Sequence, residues 1–155
     1  MVNKQICFIN LEKVLVRPAS GNIAPEDWAD FRLNLKVLNK LFEKYDIKYL
    51  FIYSTEDTNL NCSDYGLRIQ NIADMCYNWY MEKYTLEALY IDYTYFPMSN
   101  KEYSLEDQET LFNTFLGNYN LLNYPKDSMF ILGNSIRDRK FSEYYKVDYV
   151  TLNSF

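Results

Sequence analysis

The chain contains no histidine among its 155 residues. Without an imidazole, Ser-His-Asp and Cys-His catalysis are excluded, and so is any metal site that depends on histidine ligands. A bound metal would have to be a hard cation held by carboxylate and carbonyl oxygens, and Mg²⁺ is the most natural example. The absence of histidine therefore excludes histidine-dependent catalysis and leaves only metal sites built from oxygen ligands.

Cysteine is scarce as well, with only Cys7, Cys62 and Cys76 in the sequence. Three is an odd number, and no Cys-x-x-Cys pair occurs, so neither a disulfide framework nor a zinc site is predicted. Buried or incidental thiols in a reducing compartment are the expected alternative.

No apolar run approaches the length of about 20 residues that a membrane helix needs. Polar and charged residues occur as early as Asn3 and Lys4, so no signal peptide is predicted. We therefore expect no membrane partner and a cytoplasmic protein, or a component of a phage or bacterial assembly made in the cytosol.

A basic surface is also missing, since the net charge is −5 and the sequence pI is about 4.8. Nucleic-acid binding depends on lysine and arginine clusters that displace counterions from phosphates. Nucleic acid is therefore not an expected partner.

The arrangement of apolar segments predicts one α/β domain that spans residues 1–155. Helical spacing runs from Pro25-Glu26-Asp27, a typical helix start, to about residue 45. Ser104, followed three residues later by Asp107, suggests a capping box at the start of another helix. Further helices are predicted at 63–83 and 138–145, and buried strands at 5–10, 47–53, 88–93, 128–132 and 148–152.

Strands that alternate with helices predict a doubly wound, three-layer sandwich with a mainly parallel five-stranded sheet. In such sheets the ligand crevice lies at the carboxyl ends of the strands. Asn10, Ser54 and Asn134 each follow or end a predicted strand. We therefore expect these three residues to lie at one edge of the sheet.

Tyrosine is abundant, with 16 copies in an 18% aromatic chain. Tyrosine is favoured at protein interfaces because its rigid ring buries area while its hydroxyl stays hydrogen bonded. The alternative is a compositional bias of the kind that AT-rich genomes encode. Under the first interpretation, the candidates for an interface with a protein partner or a second copy are Tyr77, Tyr80, Tyr84, Tyr93, Tyr95 and Tyr103.

Two strand-end loops carry the strongest family signal. The first is Ile6-Cys7-Phe8-Ile9-Asn10-Leu11-Glu12-Lys13-Val14, and the second is Phe130-Ile131-Leu132-Gly133-Asn134-Ser135-Ile136-Arg137-Asp138. Together they resemble the haloacid dehalogenase-like (HAD) superfamily, in which one strand ends in Asp-x-Asp-Gly-Thr and a late strand ends in Gly-Asp-x-x-x-Asp. In this chain the corresponding positions read Asn, Glu and Lys in the first motif and Asn and Asp in the second.

The resemblance implies a damaged reaction centre. The family's nucleophilic aspartate forms an aspartyl phosphate, but Asn10 holds that position, and an amide is a far weaker nucleophile than a carboxylate. Glu12 replaces the general acid and base, with a reach longer by about 1 Å. Lys13 replaces a glycine that lets backbone N–H groups approach the phosphate.

The other implied site residues are only partly preserved. Ser54 or Thr55 corresponds to the hydroxyl that donates to the phosphate, and Lys101 is the best-placed candidate for the phosphate-binding lysine, with Lys126 second. Asp138 keeps one of the two acids that hold Mg²⁺, while Asn134 replaces the other. Together with Asn10 they imply a weak or lost Mg²⁺ site, because too few carboxylates remain to draw the cation from water.

The stretches 16–24 and 93–103 are too short for a cap domain, so the resemblance implies a capless member with an open crevice. Three functions then compete. The favoured one is a catalytically impaired domain that acts as a protein-interaction or assembly component, without a cofactor. An active Mg²⁺-dependent phosphatase acting on a macromolecular or nucleotide phosphomonoester is the alternative. A third is an anion sensor in which Lys13, Ser54 and Lys101 hold a phosphate without turning it over.

Overall fold

A computed structural model describes residues 4–11, 14–17, 32–54, 62–84, 88–95, 104–153 and 155. The five long strands form one parallel sheet, as the sequence predicts. They are β1 (Ile6–Asn10), β4 (Tyr49–Ser54), β5 (Tyr90–Tyr95), β6 (Met129–Gly133) and β7 (Asp148–Thr151), in the order β5-β4-β1-β6-β7. The short strands β2 (Val16–Arg17) and β3 (Arg32–Leu33) pair antiparallel as a separate hairpin.

The helices cover both faces of the sheet, so the predicted doubly wound α/β fold is confirmed. Core side chains from α1 (Leu35–Lys44) and α2 (Cys62–Lys83) pack on one face, and those from α3 (Leu105–Asn118) and α4 (Ile136–Tyr145) pack on the other. Every residue of β1 is buried, because this central strand has neighbours on both sides and helices on both faces.

The start of the first helix differs from the prediction. Helical spacing suggested one helix from Pro25 to about residue 45, but α1 begins at Leu35 and residues 32–33 form β3. The backbone N–H of Asn34 donates to the carbonyl of Leu15 over 2.8 Å, and its side-chain amide donates to the carbonyl of Val14 over 3.2 Å. These bonds to the preceding loop outweigh the local helical pattern. Pro25-Glu26-Asp27 lies outside the described residues.

The capping box of α3 is confirmed. The backbone N–H of Asp107 donates to Oγ of Ser104 over 3.2 Å, and the backbone N–H of Ser104 donates to Oδ2 of Asp107 over 3.1 Å. The other predicted strands and helices are present with ends shifted by one or two residues. Among the helices described, none combines the length and the apolar character needed to cross a bilayer.

Candidate functional site

The carboxyl ends of three neighbouring strands meet at one edge of the sheet. Asn10 is the last residue of β1, Ser54 is the last residue of β4, and Asn134 directly follows β6. Because β1 lies between β4 and β6 and all three are parallel, the predicted convergence of these positions is confirmed.

A buried carboxylate lies at this edge. Asp138 is fully buried, and its two oxygens accept hydrogen bonds from different strands. Nδ2 of Asn10 donates to Oδ2 over 3.1 Å, and the hydroxyl of Tyr53 donates to Oδ1 over 2.8 Å. We call Asn10, Tyr53 and Asp138 the strand-end cluster. It links β1, β4 and α4 through a single side chain.

The first turn of α4 places Asp138 in the cluster. Oγ of Ser135 caps the helix by accepting from the backbone N–H of Asp138 over 3.1 Å. The carboxylate of Asp138 in turn accepts from the backbone N–H of Asn134. An acid in the first turn is favoured by the partial positive charge of the helix N-terminus, so local helix chemistry supports the buried position.

Gly133 leaves the space that the carboxylate occupies. A Cβ built on this glycine would lie 2.5 Å from Oδ2 of Asp138 and 2.9 Å from its Cβ and Cγ atoms. Both separations are far below van der Waals contact, so the close approach requires glycine at the end of β6. The glycine of the second motif therefore serves the position of Asp138.

The loop between β6 and α4 is held from the edge strand β7. The hydroxyl of Tyr149 accepts from the backbone N–H of Ser135 over 3.2 Å and donates to the carbonyl of the same residue over 3.1 Å. One side chain thus satisfies both backbone groups of the helix cap. Tyr149 is a positioning residue for the loop that carries Asn134 and leads to Asp138.

The pKa of Asp138 is raised above its ordinary value because burial disfavours the charged carboxylate. Hydrogen bonds from Tyr53, Ser135, Asn10 and the backbone of Asn134 oppose this effect by stabilising the ionised form, but burial dominates. The cluster therefore holds a carboxylate whose charge depends on these four donors.

Tyr53 is the site residue that the sequence did not reveal. It ends the apolar run of β4, and such a residue is ordinarily a core residue. The pairing of β1 with β4 could have indicated this role, because Tyr53 is aligned with Asn10 on the adjacent strand. The ring of Tyr53 also packs edge-on against Phe112 of α3, with the ring centres 5.1 Å apart. A buried tyrosine needs a partner for its hydroxyl, and here the partner is Asp138.

The side chains of three other predicted residues lie apart from the cluster. Ser54 is buried, but it follows Tyr53 in the strand, so its side chain projects from the opposite face of the sheet. Asn134 contacts Asp138 through its backbone, while its side chain is exposed. Lys126 precedes β6 and therefore lies near the amino ends of the strands, opposite the cluster. There its Nζ lies 3.2 Å from the ring centre of Tyr145.

The remaining predicted site residues, Glu12, Lys13, Thr55 and Lys101, lie outside the described residues. Backbone hydrogen bonds join the residues before Glu12 and Lys13 to the residues that follow them. The backbone N–H of Leu15 donates to the carbonyl of Asn10 over 3.3 Å, and that of Val16 donates to the carbonyl of Leu11 over 3.2 Å. The chain therefore returns to the end of β1 directly after these two positions.

The described donors do not fit a Mg²⁺ ion. The cation requires several oxygen ligands, preferably carboxylates. Asp138 is the only carboxylate in the strand-end cluster, and both of its oxygens accept hydrogen bonds from neutral groups. Asn10 directs its amide N–H, not its oxygen, at Asp138. In the parts of the chain that the structure covers, no group of three or more acidic or cysteine side chains is suited to a metal ion.

The tyrosines proposed for an interface divide into two groups. Tyr80 is only 2% exposed and packs against Phe42 and Tyr84, so its assignment to the surface was wrong. Its position on the inner face of α2 explains the burial. Tyr77 is 45% exposed, and Tyr84 and Tyr93 are partly buried. Tyr103 and the side chain of Tyr95 lie outside the described part of the structure.

Comparison with known proteins does not assign the chain to a family. No protein-family model matches the sequence, and no curated protein is similar enough to be counted as a relative.

Proposed function

We propose that this protein is a catalytically impaired HAD-like domain that acts as a protein-interaction or assembly component. The observation that carries the proposal is the hydrogen bond from the Asn10 amide to Asp138. In the resembled family, the position of Asn10 supplies a nucleophilic carboxylate, and that of Asp138 supplies a metal ligand. Here the first group is a hydrogen-bond donor to the second.

The nucleophile position supports the loss of phosphoryl transfer. An amide carries no negative charge and does not form the acyl phosphate that an aspartate forms. The amide N–H of Asn10 is directed into the cluster, 3.1 Å from Oδ2 of Asp138. The side chain therefore supplies a hydrogen-bond donor to a buried carboxylate.

The metal position supports the same conclusion. A cation and an amide N–H are alternative partners for a buried carboxylate, because each supplies positive charge or partial positive charge. Asn10 and Tyr53 together supply that partner to both oxygens of Asp138. The neutral donors take the structural place of a cation, and the strand ends stay linked without one.

Calorimetric titration with Mg²⁺ tests the proposal. The wild-type protein is compared with the Asn10→Asp/Asn134→Asp double variant, which introduces carboxylates at two positions where the resembled family has aspartates. We expect no saturable heat for the wild type at millimolar Mg²⁺ and saturable binding for the double variant. Circular dichroism of both proteins, with and without Mg²⁺, shows whether the double variant is folded before its heats are interpreted.

A phosphatase assay with para-nitrophenyl phosphate and Mg²⁺ completes the test. We expect the wild type to release no nitrophenolate above the rate of a blank without protein. Saturable Mg²⁺ binding by the wild type together with turnover that Asp138→Asn abolishes would overturn the proposal. That result would favour the active capless phosphatase and would direct the search to macromolecular phosphomonoesters.

A further inference from the structure

A groove runs along β5, which has a neighbouring strand on one side only among the strands that the structure describes. It lies between α2, the edge strand β5 and the end of α3, and it has a volume of about 610 Å³. Its walls carry Tyr77, Tyr90, Tyr93 and Tyr119, with Asp74 and Met81 from α2. We call this feature the tyrosine groove.

The free edge of β5 does not favour recognition by strand addition. The backbone N–H of Tyr90 donates to Lys48, so the N–H groups of alternate residues, including Tyr93, point away from β4 to the open edge. Oδ1 of Asp92 accepts from the N–H of Tyr93 over 2.8 Å. This aspartate therefore satisfies an N–H group that an added strand would need.

A second copy of the chain is opposed by the same residue. Two β5 strands paired across a two-fold axis would run antiparallel, and β5 is only six residues long. Any register that pairs most of the strand brings the two Asp92 carboxylates close together. Like charges in such cross-strand positions destabilise the pairing. The occupant is therefore recognised through the side chains of the groove.

Those side chains combine aromatic faces with one acid, Asp74, and a second acid, Asp92, adjoins the groove beside Tyr119. The hydroxyl of Tyr119 hydrogen bonds to Asp92, and the pKa of Tyr119 is raised by burial first and then by the charge of Asp92. Asp74 is exposed on the opposite wall. Among the described residues that line the groove there is no lysine or arginine. Lys48 lies in an adjoining hollow that Asp46 also lines.

Tyrosine rings attract cations over their faces, and nearby carboxylates add to that attraction. Arginine fits this chemistry best, because its planar guanidinium stacks on aromatic rings and is more weakly hydrated than an ammonium group. We propose that the tyrosine groove receives an arginine side chain of a protein partner. The proposal rests on the proposed interaction role and names the chemistry of the partner.

Nuclear magnetic resonance titration of the isotope-labelled, full-length protein tests this inference. The probe is an acetylated and amidated Gly-Arg-Gly peptide, and the matched probe carries citrulline, the neutral isostere of arginine. We expect saturable shifts of the amides of Tyr77, Tyr90 and Tyr93 with the arginine peptide. The citrulline peptide should bind roughly three- to thirtyfold more weakly, as the loss of a cation–π contact predicts.

Two pairs of variants locate the binding. Asp74→Asn and Tyr77→Leu should each weaken binding of the arginine peptide several-fold. Asp127→Asn and Tyr144→Leu make the same chemical changes at exposed positions outside the groove and should leave the affinity unchanged. Equal affinities for the two peptides would overturn the cationic specificity. Failure of both peptides to bind would overturn the groove itself, whereas the Mg²⁺ titration tests the impaired reaction centre independently.

Discussion

The hydroxyl of Tyr53 donates a hydrogen bond of 2.8 Å to Oδ1 of Asp138, and both side chains are fully buried. Tyr53 belongs to β4, whereas Asp138 belongs to the helix that follows β6, and β1 lies between those two strands. The bond therefore reaches across the central strand. Because Asn10 of β1 occupies the other oxygen, one carboxylate fastens the carboxyl ends of the sheet.

Substitution of Tyr53 by phenylalanine should destabilise the fold. The ring keeps its packing, but a buried carboxylate loses a donor, and such a loss costs about 1–3 kcal/mol of the free energy of unfolding. Urea denaturation followed by circular dichroism measures the change. Tyr90→Phe is the matched control, because Tyr90 is 50% exposed and its substitution should stay within about 0.5 kcal/mol. Equal stabilities of the two variants would contradict a structural role for the bond.

Substitution of Asn10 by aspartate should strongly lower the free energy of unfolding near neutral pH. It replaces a donor by a second carboxylate about 3 Å from Asp138, and two such charges cannot both ionise without a large penalty. We expect a loss of about 2–5 kcal/mol at about pH 7. The loss should shrink at about pH 5, since the shared site then binds a proton that bridges the two carboxyl groups.

The measurement is urea denaturation at the two pH values, without added metal. Asn123→Asp introduces the same charge at an exposed turn and serves as the control, with an expected change within about 0.5 kcal/mol. An Asn10→Asp variant as stable as Asn123→Asp at both pH values would show that the two side chains are farther apart than the hydrogen bond implies.

Gly133 and Gly117 should respond in opposite directions to alanine. At Gly133 the new methyl group would meet Oδ2 of Asp138 at 2.5 Å, and the overpacking should cost about 1–3 kcal/mol. At Gly117, inside α3, the nearest atom is Cδ1 of Leu122 at 3.7 Å, an ordinary contact. Gly117→Ala should therefore stabilise the protein by about 0.5–1 kcal/mol through helix propensity. Thermal unfolding of the two variants distinguishes the effects.

The sequence predicted the layers of the fold because burial and hydrophobic periodicity determine them locally. Each of the five long strands lies within two residues of its predicted position, and the capping box of α3 is present. The predicted start of α1 was wrong because Asn34 forms hydrogen bonds with residues some 20 positions earlier, and no local pattern encodes such a contact. Tertiary hydrogen bonds outweigh helix propensity there.

Only part of the site could be predicted from the sequence, because its remaining contact depends on tertiary structure. A motif located Asn10 and Asp138, and parallel strand order brought them to one edge. Tyr53 was not predicted, because the sequence pattern of a tyrosine at the end of an apolar strand is the same whether its hydroxyl is hydrogen bonded to protein or to solvent. Tyr80 was assigned to the surface for the converse reason, since the face of a long helix that meets the sheet depends on packing partners distant in sequence.

Substitution of Tyr149 by phenylalanine should loosen the start of α4. The hydroxyl accepts from the N–H of Ser135 and donates to its carbonyl, so both bonds disappear together. We expect faster hydrogen exchange at the amide of Ser135 and a stability loss of about 1–2 kcal/mol. Exchange measured by nuclear magnetic resonance tests this, with Tyr77→Phe as an exposed control. Unchanged exchange at Ser135 would mean that the cap holds without the tyrosine.

The raised pKa of Asp138 gives stability a pH dependence of definite sign. A carboxyl group whose pKa is higher in the folded state than in the unfolded chain stabilises the fold when it is protonated. Its contribution is fully present below the ordinary value of 3.8 and is lost as the pH rises through the folded pKa. The opposite sign holds for carboxylates engaged in salt bridges.

Titration of the Asp138 carboxyl carbon by nuclear magnetic resonance measures the pKa directly. We expect a midpoint above the ordinary value in the wild type and a still higher one in Tyr53→Phe, because the tyrosine hydrogen bond lowers the pKa against the effect of burial. In urea denaturation, the stability of the wild type relative to Asp138→Asn should fall as the pH rises through that midpoint. A midpoint below 3.8 would mean that the four hydrogen bonds outweigh burial, and the slope of relative stability would then reverse.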